Sequence, residues 1–209
     1  MIHPVEALGE MPVPLVVSLQ QDREDRLASM LAEGGVAEVQ RLALDLSKAH
    51  RGLWALQLDE VIKDRRQPVV LVAQGVSCLA VAWWAQLSPR SYLRAVAGAL
   101  FLSPLSFTIG QAAIARGLRP SPGTRLPFPS ITVDGASAII RQVLDLADGW
   151  GSRFVEASAP FGEETSAVER QLSGLLAILR GDDSAIGQPA PRDRAGVWRP
   201  VQHGCIPLG

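Results

Sequence analysis

Pro68-Val69-Val70-Leu71-Val72-Ala73-Gln74-Gly75-Val76-Ser77-Cys78-Leu79-Ala80-Val81-Ala82-Trp83-Trp84-Ala85 is the stretch on which the fold turns. Val69 to Ala73 is apolar without alternation, the mark of a strand covered on both faces. From Ser77 to Leu87 the chain is apolar nearly all round, as in a helix wedged between a sheet and other elements. Gln74, Gly75 and Ser77 interrupt the run, so it reads as a buried strand followed by a buried helix, not as a membrane span. Trp83 and Trp84 project about 100° apart on such a helix, and both are expected to pack in or against the core.

The same alternation extends outward. Val13 to Ser18 is a β-branched run. Asp22 to Glu33 follows with Leu27, Met30 and Leu31 in helical spacing, and Gly34-Gly35 ends it. A second short strand is expected within Val36 to Leu42. Leu53 to Lys63 reads as a helix with Leu53, Leu56, Val61 and Ile62 inward. Beyond the quoted stretch, Val96 to Leu102 is a buried strand closed by Ser103-Pro104, and Gly117 to Pro129 is a surface loop. Ser130 to Val133 is a strand, and Ala138 to Gly149 a helix with Ile139, Ile140, Val143, Leu144 and Ala147 inward. Arg153 to Ala157 is the last strand and Glu164 to Leu179 the last helix. Strands alternating with helices imply an α/β fold with a mostly parallel central sheet, right-handed crossovers and helices on both faces.

Length and charge bound the rest. A chain of 209 residues suits one domain, here residues 13–180, with an N-terminal extension at 1–12 and a Pro/Gly-rich tail at 181–209. The net charge of −1 supplies no field for a polyanion or an anionic membrane, so neither nucleic acid nor membrane is an expected partner. Lys63-Asp64-Arg65-Arg66 reads as a solvated helix end. Arg116, Arg119 and Arg125 flank a solvated loop. Two cysteines, Cys78 and Cys205, draw neither a disulfide framework nor a metal site, and no metal or cofactor is expected. Met1 to Glu6 lacks the pattern of a secretion signal, so the expected location is the cytoplasm.

The quoted stretch resembles the nucleophile elbow of the small serine-hydrolase family of the retinoblastoma-binding protein nine and YdeN type. There a strand leads into a Gly/Ala-His-Ser-Leu-Gly-Cys-Leu turn and helix, commonly continuing with a Trp-Ala pair. Leu126-Pro127-Phe128-Pro129-Ser130-Ile131 resembles the family's approach to the strand that carries the catalytic Asp. Trp150-Gly151-Ser152-Arg153-Phe154-Val155-Glu156 resembles the lead-in to the strand before the catalytic His. The resemblance covers roughly residues 13 to 180 and implies a three-layer α/β-hydrolase-like fold.

Departures from the pattern imply a catalytically degenerate member. In the ungapped register Gly75 stands at the nucleophile position and Gln74 at the preceding His, which makes Gln74, Gly75, Val76 and Ser77 a vestigial elbow. A shifted register offers Gly75-Val76-Ser77 as G-x-S, but sets Leu79 where a small residue is needed. The acid is displaced or missing, with Asp134 either a remnant or an ordinary helix cap. Ala157 to Glu164 contains no histidine where the family has its base, and His3, His50 and His203 are all distant in sequence. Ser18-Leu19-Gln20-Gln21-Asp22 lacks the glycines of an oxyanion loop.

Three functions remain open at this point. The first is a pseudoenzyme, a non-catalytic scaffold whose partner is another protein. Its old cleft would be refilled by Leu19, Val76 and Phe161, and Trp198 would anchor the tail. The second is an active esterase or thioesterase with Ser77 or Cys78 as nucleophile, assisted by Asp134 or Glu163. The third is a small-molecule sensor using Gln74 and Ser77. The sequence leaves the oligomeric state open.

Overall fold

The computed structural model describes residues 12–20, 26–33, 38–45, 53–63, 65–118, 124–135, 139–157 and 173–174. The strands are β1 (Val13–Leu19), β2 (Gln40–Leu44), β3 (Val69–Gln74), β4 (Val96–Leu102), β5 (Ser130–Gly135) and β6 (Arg153–Ala157). These make one sheet in the order β2-β1-β3-β4-β5-β6, and every neighbouring pair is parallel. Val69 to Ala73 have no exposed surface, so β3 is covered on both faces as its unbroken apolar run predicts. The strand order reverses between β1 and β3, and the crevice at their C-terminal ends is where open α/β sheets take ligands.

Alternate residues of the strands feed two cores. On one face α1 (Arg26–Glu33) sets Leu27, Ala28 and Leu31 against Val16, Val70, Val72 and Leu100. On the other lie α2 (Leu53–Ile62), α3 (Val76–Leu87) and α6 (Ile140–Trp150), whose Leu58, Leu79, Trp84 and Val143 meet Leu15, Leu71 and Phe101. The fold is therefore three-layered α/β, as the alternation of elements implied. Each such side chain contributes about 1.5–3 kcal/mol by leaving water, which makes these two layers the main source of stability.

Two inward assignments are corrected. Leu56 is 56% exposed, because Trp54, Leu58 and Ile62 form the buried stripe of α2 and Leu56 lies about 200° around the axis from Trp54. Leu144 is 43% exposed for the same reason, α6 being rotated to bury Val143, Ala147 and Trp150. β2 starts at Gln40, later than the Val36 to Leu42 run suggested. Three short elements had no legible period: α4 (Arg90–Leu93), a 3₁₀ turn at Ile109–Gln111 and α5 (Ala112–Gly117). Of the expected Glu164 to Leu179 helix only Ser173 and Gly174 are described, both helical. The 1–11 segment and the tail, with Trp198, lie outside the described residues.

The cationic cluster after α2 is the solvated helix end that was expected. Lys63 Nζ pairs with Glu60 at 2.8 Å, and Arg65 Nε donates to the Val61 carbonyl at 2.9 Å, closing the helix. Partial burial lowers the Arg65 pKa, with Glu38 opposing the shift. Asp64 is outside the described residues.

Trp150-Gly151-Ser152 owes its form to the end of α6. Gly151 sits at φ 64°, its N–H donates to Asp148 and that of Ser152 to Ala147, a Schellman closure that leads straight into β6. An added Cβ at Gly151 would meet the side chain of Arg125. That chain is exposed and flexible, so the left-handed backbone sets the main cost. Gly151→Ala is expected to lose about 1–2 kcal/mol in urea unfolding, and no loss would show that the turn relaxes freely.

Candidate functional site at the elbow after β3

Gly75 is the single residue between the last residue of β3 and the first of α3. Its φ of 58° and ψ of −131° produce the sharp reversal by which a strand delivers one residue above a sheet and turns into a helix. The Gly75 N–H donates to Leu102 at 3.0 Å, and its carbonyl accepts from Cys78 N–H at 3.1 Å, which starts the helix. Gly75, and not Ser77, thus stands at the turn.

The space above Gly75 is filled. A Cβ built on it would lie 2.5 Å from the backbone carbonyl oxygen of Ser106, far inside van der Waals contact. That carbonyl belongs to a turn in which Ser106 N–H donates to Ser103 at 2.9 Å. Ser103 occupies φ 43°, a left-handed conformation that residues with a Cβ adopt rarely, and its N–H donates to Val133 at 2.8 Å.

The remaining sequence-predicted residues divide between core and sheet edge. Gln74 is exposed at the end of β3, whereas Val76, Ser77 and Cys78 are buried in the first turn of α3. Leu19 and Val76 share one apolar cluster, and Phe161 lies outside the described residues. The Cys78 thiol donates to the Ala73 carbonyl at 3.3 Å and lies 3.7 Å from that of Leu102. Burial drives its pKa far above the ordinary thiol range, and the nearby charge of Asp134 adds to the shift against the carbonyl hydrogen bonds. Burial of this kind disfavours the thiolate that nucleophilic attack needs.

Asp134 is the last residue but one of β5 and is 7% exposed. One of its oxygens, Oδ1, accepts from Ser103 Oγ at 2.9 Å and from the Gly135 N–H at 3.0 Å. Its observed partners are thus a hydroxyl and an amide at the sheet edge. His3, His50, His203 and Glu163 lie outside the described residues. Among the described residues no cluster of His, Cys, Asp and Glu is arranged to hold a metal, and no helix is long and apolar enough to cross a membrane.

Sequence reasoning took Ser103-Pro104 only as the stop of β4 and missed that it opens the turn over the elbow. The Ser-Pro pair was the available signal, since both residues favour turns. Ser106 carried none, because it acts through its backbone.

Comparison with known proteins agrees with this architecture. A YdeN-like hydrolase from Pectobacterium atrosepticum superposes with a TM-score of 0.59 at 17% identity, covering 81% of this chain and 92% of its own. The ydeN gene product of B. subtilis gives a TM-score of 0.54 at 14% identity over 80% of this chain and 100% of its own. Identities this low speak for the fold alone. No curated protein matches the sequence. The family model described as serine hydrolase matches residues 21–160, a span from before α1 to just beyond β6 that contains the elbow with β3 before it and α3 after it. With that share of its length matched, the chain belongs to the serine hydrolase family.

Proposed function

We propose that this chain is a non-catalytic member of the family, which keeps the hydrolase framework as a protein-binding or regulatory scaffold. The observation that carries the reading is Gly75 at the elbow. Glycine has no atom with which to attack an ester, and the Ser106 carbonyl fills the space that the Cβ of a nucleophile needs. The rearranged-site alternative finds no support here, since Ser77 is 1% exposed and Cys78 is buried with its pKa raised. The partner in this reading is another protein, since a net charge of −1 supplies no field for nucleic acid or an anionic surface.

Incubation with a fluorophosphonate probe and with a thiol-reactive acyl probe is expected to leave the protein unlabelled, and turnover of small esters and thioesters should equal the buffer rate. Labelling that Ser77→Ala or Cys78→Ala abolishes would overturn the inactive reading. The scaffold reading has its own check, purification of the tagged full-length chain from the cells it comes from. A stoichiometric protein partner is expected, and a reproducible absence of any would sink it.

A further inference from the structure

The turn that covers the elbow buries Pro104 and Leu105, the latter in the same apolar cluster as Cys78, and is tied at Ser103 by polar contacts. Ser103 occupies a backbone region disfavoured for any residue with a Cβ, and such residues persist only where their surroundings over-determine them. Beside the burial of Leu105, three polar contacts supply that determination. The Ser103 N–H donates to Val133, the Ser106 N–H closes the turn onto Ser103, and Ser103 Oγ donates to Asp134 Oδ1. The first two are backbone bonds open to any residue, so the third is the one chosen by side-chain chemistry. The carboxylate oxygen is itself fixed by the Gly135 N–H, which makes it a rigid acceptor on the end of β5. Cys78 lies beneath, beside the carbonyl of Leu102 and within reach of the charge of Asp134.

We propose that Asp134 is a positioning residue that, through Ser103, latches the 103–106 turn over the elbow, and that release of this latch uncovers Gly75, the start of α3 and Cys78. The chain then has two elbow states, one sealed by the Ser106 carbonyl and one open at the C-terminal edge of β3. This assigns Asp134 a role in place of the catalytic or capping ones that the sequence left open. It stands on the geometry of the turn and is independent of what partner the protein takes.

Cys78 is the reporter. In the full-length chain carrying Cys205→Ser it is the only thiol left of two, and its rate of modification by an aromatic disulfide reagent measures opening. Ser103→Ala and Asp134→Ala are each expected to raise that rate by about ten- to a hundredfold, the range that a charge-assisted hydrogen bond carries. Asp134→Asn keeps an acceptor oxygen but gives up the charge, so its rate should rise by only about three- to tenfold, below that of Asp134→Ala. The double variant Ser103→Ala/Asp134→Ala should be no faster than the faster single one, because both break the same bond. Low urea should change the raised rates far less than global unfolding would, since opening the turn exposes Leu105 and its neighbours but leaves the rest of the core buried.

The latch is refuted if the two alanine variants label at the parental rate. It is equally refuted if their acceleration has the urea dependence of global unfolding, or if the two effects multiply. Should Asp134→Ala fail to fold, Ser103→Ala decides alone, because it removes one oxygen from a half-buried residue.

Discussion

Gly75→Ala should destabilise the protein by about 3 kcal/mol or more. Two independent costs meet at this residue. A φ of 58° with a ψ of −131° is natural for glycine, and holding a residue with a Cβ there takes about 1–3 kcal/mol. The new Cβ would also lie 2.5 Å from the Ser106 carbonyl, a backbone atom that cannot swing aside as a side-chain tip does. Moving it means moving a turn tied to Ser103, Val133 and Asp134, and overpacking of this kind costs a further 1–3 kcal/mol or so. Against a total stability of about 5–15 kcal/mol, the loss is large enough to shift the urea midpoint strongly at constant slope. A loss below about 1 kcal/mol would mean that the turn yields easily and that the elbow is not sealed.

Gly75→Ser carries the same argument into function. Active members of a serine hydrolase family seat their nucleophile at this strained turn, where it projects into open space. Here the hydroxyl would arrive beneath a carbonyl, and Asp134, the acid considered for this site, is already bound to Ser103 and Gly135. The variant is expected to be destabilised like Gly75→Ala and to remain unlabelled by fluorophosphonate. The sealed turn and the missing side chain are thus one feature seen twice, because a glycine at the elbow is what allows Ser106 to come so close.

Much of this was legible in the sequence, and the remainder was hidden for physical reasons. β3 and α3 announced themselves because full burial on both faces demands continuous apolar runs, and Arg153 to Ala157 was found residue for residue. Gly75 stood out because the residues around it form a recognisable strand–turn–helix. The rotation of α2 and α6 was misjudged at Leu56 and Leu144, since several apolar residues competed for the inward side and the larger stripe won. α4 and α5 were missed because helices of four and six residues show no period. The approach of Ser106 to Gly75 is a backbone contact between elements distant in sequence, and a composition of Ser, Pro and Leu carries no trace of it. The bond from Ser103 to Asp134 was hidden likewise, as the pairing of β4 with β5 alone brings the two together.

Trp84→Ala is the second change expected to be severe, and its contrast with Trp83 tests whether α3 is the centre of the framework. The two residues look alike in sequence, but Trp84 has no exposed surface while Trp83 is only partly buried. Removing the Trp84 indole leaves a large cavity against the sheet, which typically costs about 3–5 kcal/mol. It also removes the donor at 2.8 Å from Asp59 Oδ1, leaving that oxygen a single long contact of 3.5 Å from Ser88 Oγ. Trp84→Phe fills most of the volume and isolates that second effect, so a loss of about 1–3 kcal/mol is expected from the orphaned carboxylate. Trp83 donates to the Leu118 carbonyl at 2.6 Å, pinning the segment after α5 onto the outer side of α3. Trp83→Phe gives up that neutral hydrogen bond, worth about 0.5–1.5 kcal/mol. Urea unfolding of the three variants should rank them Trp84→Ala, Trp84→Phe and Trp83→Phe in decreasing damage. If Trp83→Phe proved the most damaging, stability would reside in the covering segment and not in the β3–α3 layer, and the elbow would be held by what lies over it.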